Sequence, residues 1–152
     1  MAFSEWETPQ AFFDILNAEF HFTLDVCALR ETAKCDLFYA LEQNALERSW
    51  LNQRCWMNPP YDKSIGLWVK KAYETAQAGG LVVALIQGRS TDTKMWHDFV
   101  MRASEIRFIR DRLHFGKNGI FKRANISSIV VVFRPHCQGP PITASIGNGI
   151  TP

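Results

Sequence analysis

Phe12, Phe13, Leu16 and Phe20 recur at helical spacing and predict an apolar helix face running to about Glu19. Thr8-Pro9 just before them reads as the start, with Thr as N-cap and Pro at the first helical position. His21 to Val26 alternates and is rich in strand formers, which predicts a strand ending near Asp25. A mixed stretch follows, with a short helix expected around Leu41 to Arg48. Arg54 to Met57 reads as a short buried strand that runs straight into the turn Asn58-Pro59-Pro60-Tyr61. Beyond it, Ile65, Trp68, Val69, Ala72 and Ala76 mark an amphipathic helix that stops at Gly79-Gly80.

Leu81 to Ile86 is a continuous apolar run of strand length, as expected for a strand buried on both faces. A polar loop, Gln87 to Asp92, leads to a second helix over Met95 to Ala103, with Trp96, Phe99 and Val100 inward. Glu105 to Ile109 and Ile126 to Phe133 complete the expected strands. From Arg134 onward the chain is rich in Gly and Pro and shows no periodicity. The expectation is one domain over residues 1–134 and a poorly ordered tail over 135–152. Strand–helix alternation with buried strands argues for an α/β sheet with helices on both faces. Ligands in such sheets bind beyond the carboxyl ends of the strands, so Asp25 and Asn58 are expected at one edge.

Composition changes this picture little. Of 152 residues, 47% are hydrophobic and 21% charged, an ordinary globular balance with enough length for one core. No apolar run approaches the ~20 residues that cross a bilayer, and the N-terminus lacks a signal-peptide pattern. The four cysteines show no CxxC pairing, so they read as small buried hydrophobes in a reducing cytosol rather than as a zinc site. Net charge is only +2, but Arg102 to Arg123 holds seven basic residues against Glu105 and Asp111, an excess of five. Such a local excess suits phosphate contact, or simply a solvated basic loop.

The Asn58-Pro59-Pro60-Tyr61 turn carries the chemistry. The Asn side-chain carbonyl can accept one hydrogen bond from an exocyclic amine. The Pro59 carbonyl can accept the other, because Pro60 has no N–H and cannot continue a ladder or helix. Tyr61 offers a ring for stacking. An amine held by two acceptors keeps its nitrogen lone pair free to attack a methyl sulfonium.

Several motifs stand in one order along the chain. They are Trp6-Glu7-Thr8-Pro9, Leu24-Asp25-Val26-Cys27-Ala28, Ala33-Lys34-Cys35, the Asn58 to Tyr61 turn, Trp68-Val69-Lys70-Lys71-Ala72, Thr91-Asp92-Thr93 with Trp96-His97, and Arg112-Leu113-His114-Phe115. On these motifs the chain resembles the bacteriophage-type DNA N-6-adenine methyltransferases, the short Dam-like family, over about Trp6 to Phe133. The resemblance implies a compact Rossmann-like methyltransferase sheet, S-adenosylmethionine as methyl donor, and double-stranded DNA as partner. It also implies an enzyme of a bacterial host's cytoplasm, encoded by a phage or prophage.

By the same resemblance, Asn58, Pro59, Pro60 and Tyr61 form the catalytic turn that receives an adenine flipped out of the duplex. Trp6, Thr8, Pro9, Asp25 and Ala28, with Asn58, would line the donor. Arg89, Arg112, Lys117 and Arg123 are candidate DNA contacts, Arg89 first among them. Three departures stand out: Asn44 where the family usually has an acid, a loop from Gln87 to Asp92 that is longer and lacks a proline, and a proline-poor lead into the last strand at Arg123 to Ser127.

Plainer readings stand beside these. Asp25 can serve as a loop carboxylate, His97 as a partly buried hydrogen-bonding histidine, and His114 as an exposed one. Trp6 can simply anchor its segment, and Trp56 and Trp68 are expected in the core. Competing functions remain open at this point: N4-cytosine methylation, methylation of a protein glutamine, and a DNA-binding module whose donor site has decayed.

Overall fold

The computed structural model describes residues 5–150. In chain order it comprises α1 (Gln10–Phe20), β1 (Leu24–Asp25), β2 (Leu37–Phe38), β3 (Arg54–Met57), α2 (Ile65–Gln77), β4 (Leu81–Gln87) and α3 (Lys94–Asp98). There follow β5 (Glu105–Arg110), β6 (His114–Lys117), β7 (Ile120–Arg123), β8 (Ser128–Phe133) and β9 (Ile142–Gly147). Seven strands form one mixed sheet in the order β2-β1-β3-β4-β8-β5-β9, and β6 and β7 form a separate hairpin. The pairings β1–β2, β1–β3, β3–β4 and β5–β9 are parallel, and β8 runs antiparallel to both β4 and β5.

The continuous apolar run of β4 is buried on both faces because alternate residues meet different helices. Leu81, Val83 and Leu85 join Trp56, Val130 and Val132 beneath α1, through Phe12, Phe13, Leu16 and Phe20. Val82, Ala84 and Ile86 pack with Trp68, Val69, Ala72 and Ala76 of α2 on the other face. Burial of each α1 phenylalanine contributes about 1.5–3 kcal/mol of transfer free energy. The fold is therefore α/β with helices on both faces of a mostly parallel sheet. Trp56 and Trp68 are in the core as expected, joined by Trp50.

Several local expectations differ from what forms. Thr8 does not cap α1. Pro9 occupies the cap position, its carbonyl accepting from Phe12 and Phe13, and the Thr8 hydroxyl is engaged elsewhere. Instead of a helix over 41–48 there are two 3-10 turns, Leu41–Gln43 and Ala45–Glu47. Asn44 joins them at φ 48, a left-handed conformation that asparagine tolerates better than most residues. Its side chain is exposed, so this backbone requirement accounts for an amide there without reference to a ligand. The second helix stops at Asp98 and continues as a 3-10 turn over Val100–Arg102.

The expectation of a poorly ordered tail is corrected by β9, which adds six residues in parallel register to β5. Its side chains are nearly all exposed, so the strand carries no apolar alternation and is held by its backbone ladder. The glycine that suggested disorder has a packing cause. Gly139 lies at φ 68, and a Cβ there would come within 2.3 Å of the Met101 carbonyl oxygen.

Candidate active site

Parallel β1, β3 and β4 end at one edge of the sheet, which brings Asp25, the Asn58 turn and Gln87 together. Antiparallel β8 starts at that edge with Ser128, paired to Gln87. Strand β5 ends there too, and the β6–β7 hairpin follows it. Over this edge runs the strap of residues 6–9, tied to the hairpin by two backbone bonds. Glu7 N–H donates to the Gly116 carbonyl at 2.7 Å, and Gly116 N–H returns to Glu7 at 2.9 Å.

Asn58 is oriented by this strap. Its Nδ2 donates to the Trp6 carbonyl at 3.2 Å and to Thr8 Oγ1 at 3.1 Å. A backbone carbonyl can only accept, so the amide nitrogen must face it. Oδ1 is thereby left on the opposite side as an available acceptor. Pro59 and Pro60 are buried, and Tyr61 is half-buried with the Arg89 guanidinium 5.5 Å from its ring centroid. Burial pushes the Tyr61 phenol above its usual range, while the nearby Ser90 and Arg89 side chains pull it back, though among the described residues none is close enough to make a full hydrogen bond to its hydroxyl.

Two cavities meet at Asn58 and Trp6. The larger, about 430 Å³, is lined by Trp6, Asn58, Pro59, Tyr61, Leu85, Ile86, Gln87 and Phe115, and closed by residues 122–126 and Ser128. The smaller, about 20 Å³, is lined by Trp6, Glu7, Thr8, Asp25, Cys27, Ala28, Leu29, Thr32, Lys34, Trp56 and Asn58. Pro9 is buried next to this lining without being part of it.

Asp25 ends β1 inside the smaller cavity. Its carboxylate accepts from Cys27 N–H at 3.2 Å and from Lys34 N–H at 3.0 Å. Burial outweighs these bonds and the nearby Lys34 charge, and pushes the carboxyl up to about 6. Lys34 Nζ lies 3.1 Å from Glu7 Oε1 and 2.9 Å from Gln10 Oε1, which fastens the strap and α1 over the cavity. Burial also pushes the Cys35 and Cys55 thiols up to about 12, so neither is a nucleophile at neutral pH. Among the described residues, no group of three or more His, Cys, Asp or Glu is placed to hold a metal ion.

The basic stretch does not act as one patch. Arg107 binds Glu19 and Glu105, Arg102 lies over Tyr73, and Lys117 pairs with Glu5 while lying 5.6 Å from the Trp6 ring centroid. Arg112 donates to the carbonyls of Ala124 and Asn125 and so braces the base of the hairpin. Lys122 and Arg123 line the larger cavity, and Arg110 is exposed beside it in sequence. His97 is exposed rather than partly buried, and His114 is half-buried.

Sequence reading missed Gln87, Phe115, Lys122 and Ser128 as cavity-lining residues. A signal for the hairpin was present: Asn118-Gly119, now seen at φ 53 and φ 78, is a two-residue turn pair that joins twisted strands. For Gln87 no motif gave a signal.

A family model described as DNA N-6-adenine-methyltransferase (Dam) matches residues 3–148. The chain belongs to the DNA N-6-adenine-methyltransferase family. Two relatives from this family come from bacteriophages. The chain is 31% identical over 137 residues to a DNA N-6-adenine-methyltransferase of Haemophilus phage HP1, covering 86% of this chain and 78% of that protein. It is also 31% identical over 106 residues to one from Escherichia phage T1, covering 68% of this chain and 44% of that longer protein. The family match runs through β9, so it includes the segment that sequence patterning set aside as a tail. This is an enzyme family, and the Asn58 turn lies within the matched residues.

Proposed function

We propose that this edge of the sheet transfers a methyl group from S-adenosylmethionine to the N6 amine of an adenine in double-stranded DNA. The observation that carries the reading is the orientation of Asn58. Its amide nitrogen is taken up by Trp6 and Thr8, which leaves Oδ1 as the acceptor of a residue that lines both cavities. The parallel β2-β1-β3-β4 half, covered by α1 and α2 on opposite faces, supports a Rossmann-like donor-binding sheet.

The larger cavity suits a base extruded from the duplex, with Tyr61, Trp6 and Phe115 as aromatic walls. Asn58 Oδ1 and the Pro59 carbonyl accept the two amine hydrogens. An adenine amine is a poor nucleophile because its lone pair is delocalised into the ring. Two fixed acceptors favour the tetrahedral nitrogen and stabilise positive charge that is absent from the bound base and develops as the methyl is transferred. No strong base is needed, since the proton can leave after methyl transfer.

The smaller cavity fits the donor in chemistry. A buried carboxylate destabilised by its surroundings gains from a cationic amino group, and Asp25 supplies that carboxylate, with Ala28 leaving space beside it. It fits in volume only if the strap lifts, because about 20 Å³ holds little more than a water. Trp6, Thr8, Asp25 and Ala28 would hold the donor once the strap has opened, and Pro9 fixes where the strap enters α1. When bound, the donor supplies an electrophilic methyl group.

Lys122 and Arg123, which line the larger cavity, and Arg89, which lies over Tyr61, are the candidate phosphate contacts, with Lys117 and Arg112 shaping the hairpin. No described helix is long and apolar enough to cross a membrane. The phage relatives support an enzyme acting on DNA in the host cytoplasm. Incubating DNA with the protein and labelled S-adenosylmethionine, then analysing nucleosides by mass, tests the reading. N6-methyladenine is expected; N4-methylcytosine alone, or no product, would defeat it.

A further inference from the structure

Gln87 is the last residue of β4, and its side chain lines the larger cavity. Its Oε1 is buried and has no hydrogen-bond partner among the described residues. A buried carboxamide oxygen without a donor is destabilising, and native interiors retain few of them. The backbone around it is fixed, with Gln87 in register with Ser128 of β8 and Gly88 N–H donating to the Ser127 carbonyl at 2.8 Å. The strand end that carries this acceptor is thus held in place.

The pleat explains why it looks into this cavity. Trp56 and Val83 are paired neighbours that both face α1. Continuing two residues along each strand direction leads to Asn58 and Leu85, and two more along β4 leads to Gln87. Asn58, Leu85 and Gln87 accordingly line one cavity.

We propose that Gln87 Oε1 is a further acceptor for the amine of the target base, sharing with the Pro59 carbonyl the hydrogen that Asn58 Oδ1 does not take. The proposal rests on the reading of the larger cavity as the base pocket. The amine is the donor on adenine's base edges, so an orphaned acceptor in that pocket matches it by chemistry. As the nitrogen forms a fourth bond, to the methyl carbon leaving the sulfonium, it becomes cationic while still carrying both hydrogens. A second carboxamide oxygen then stabilises charge more than it stabilises the neutral base, which places its effect in kcat rather than in DNA affinity.

Two variants, Gln87→Leu and Gln87→Glu, test this on an oligonucleotide whose methylated adenine has been mapped with the wild-type protein. Leu removes the acceptor and an unsatisfied polar atom together. It is expected to lower the single-turnover rate roughly 10- to 100-fold while melting no lower than the wild type. Glu keeps the acceptor and adds charge. It is expected to hold the rate near wild type at neutral pH and to lose it on acidification, as the carboxylate protonates, along a limb the Leu variant lacks. A Leu variant with a wild-type rate, or a Glu variant as slow as Leu at every pH, would overturn the assignment. Absence of N6-methyladenine from wild-type reactions would instead overturn the base-pocket reading beneath it.

Discussion

The two cavities that share Asn58 and Trp6 differ in almost every physical respect. The larger is roomy and is lined by Tyr61 and Gln87, whose Oη and Oε1 have no hydrogen-bond partner among the described residues. The smaller is nearly filled, and its polar groups are satisfied within the protein: Asp25 by backbone N–H groups, Lys34 by Glu7 and Gln10. Under the function proposed above, a planar base would enter the larger cavity as it stands, whereas a donor with a cationic end would have to displace the strap of residues 6–9 and replace those internal bonds.

The sharpest difference is electrostatic. Asp25 has a folded-state carboxyl raised from 3.8 to about 6 by burial. The folded protein therefore binds more protons than the unfolded chain between those values. The stability this group contributes is fully present below about pH 4 and is lost as pH rises through about 6. The shift corresponds to about 2–3 kcal/mol. Glu19 and Glu105 are held low and act in the opposite sense, so the difference between wild type and Asp25→Asn isolates the effect. Denaturant unfolding at several pH values should show that difference changing by this amount; a pH-independent difference would mean Asp25 is not strained.

Next in size is the strap's hold on Asn58. Thr8→Val keeps the shape and removes one of the two acceptors that orient the amide. Loss of one neutral hydrogen bond should lower kcat about tenfold, with little change in DNA affinity. An equal fall in DNA affinity would show Thr8 supporting the base pocket generally instead of orienting Asn58.

The smallest effect is expected far from both cavities. Arg107 holds Glu19 through two bonds at 2.6 and 2.8 Å, across the edge of the sheet. Arg107→Ala should cost about 1 kcal/mol of stability, because Glu19 is half exposed and screened, and should leave kcat unchanged. A change in kcat would connect the basic stretch to the site more closely than its ion pairs suggest.

How far the sequence foretold this arrangement depends on what each segment buries. Strands β3, β4 and β8 bury both faces, so their apolar runs marked them, and Asn58 was expected at the sheet edge from the run of β3 and Asp25 from the alternation of residues 21–26. Strand β9 buries almost nothing and is held through its backbone, so no hydrophobic pattern exposed it. The hairpin left a trace in Asn118-Gly119, but Ile120 and Phe121 are exposed and offered no inward face. Thr8 was read as a cap because Thr-Pro usually starts a helix, yet its hydroxyl serves a residue fifty positions away. Such a tertiary partner cannot be read from local spacing. The seven basic residues summed correctly along the chain, but their ion pairs in space divided the total.

The central claim is that Asn58 Oδ1 grips the amine that is methylated. It is tested most directly by Asn58→Ala, assayed under single turnover with nucleoside analysis of the product. Removing a preorganised acceptor of transition-state charge predicts a fall in N6-methyladenine formation of about 10²–10³-fold, with DNA still bound and the fold intact. An Asn58→Ala protein that methylates adenine at the wild-type rate would contradict it.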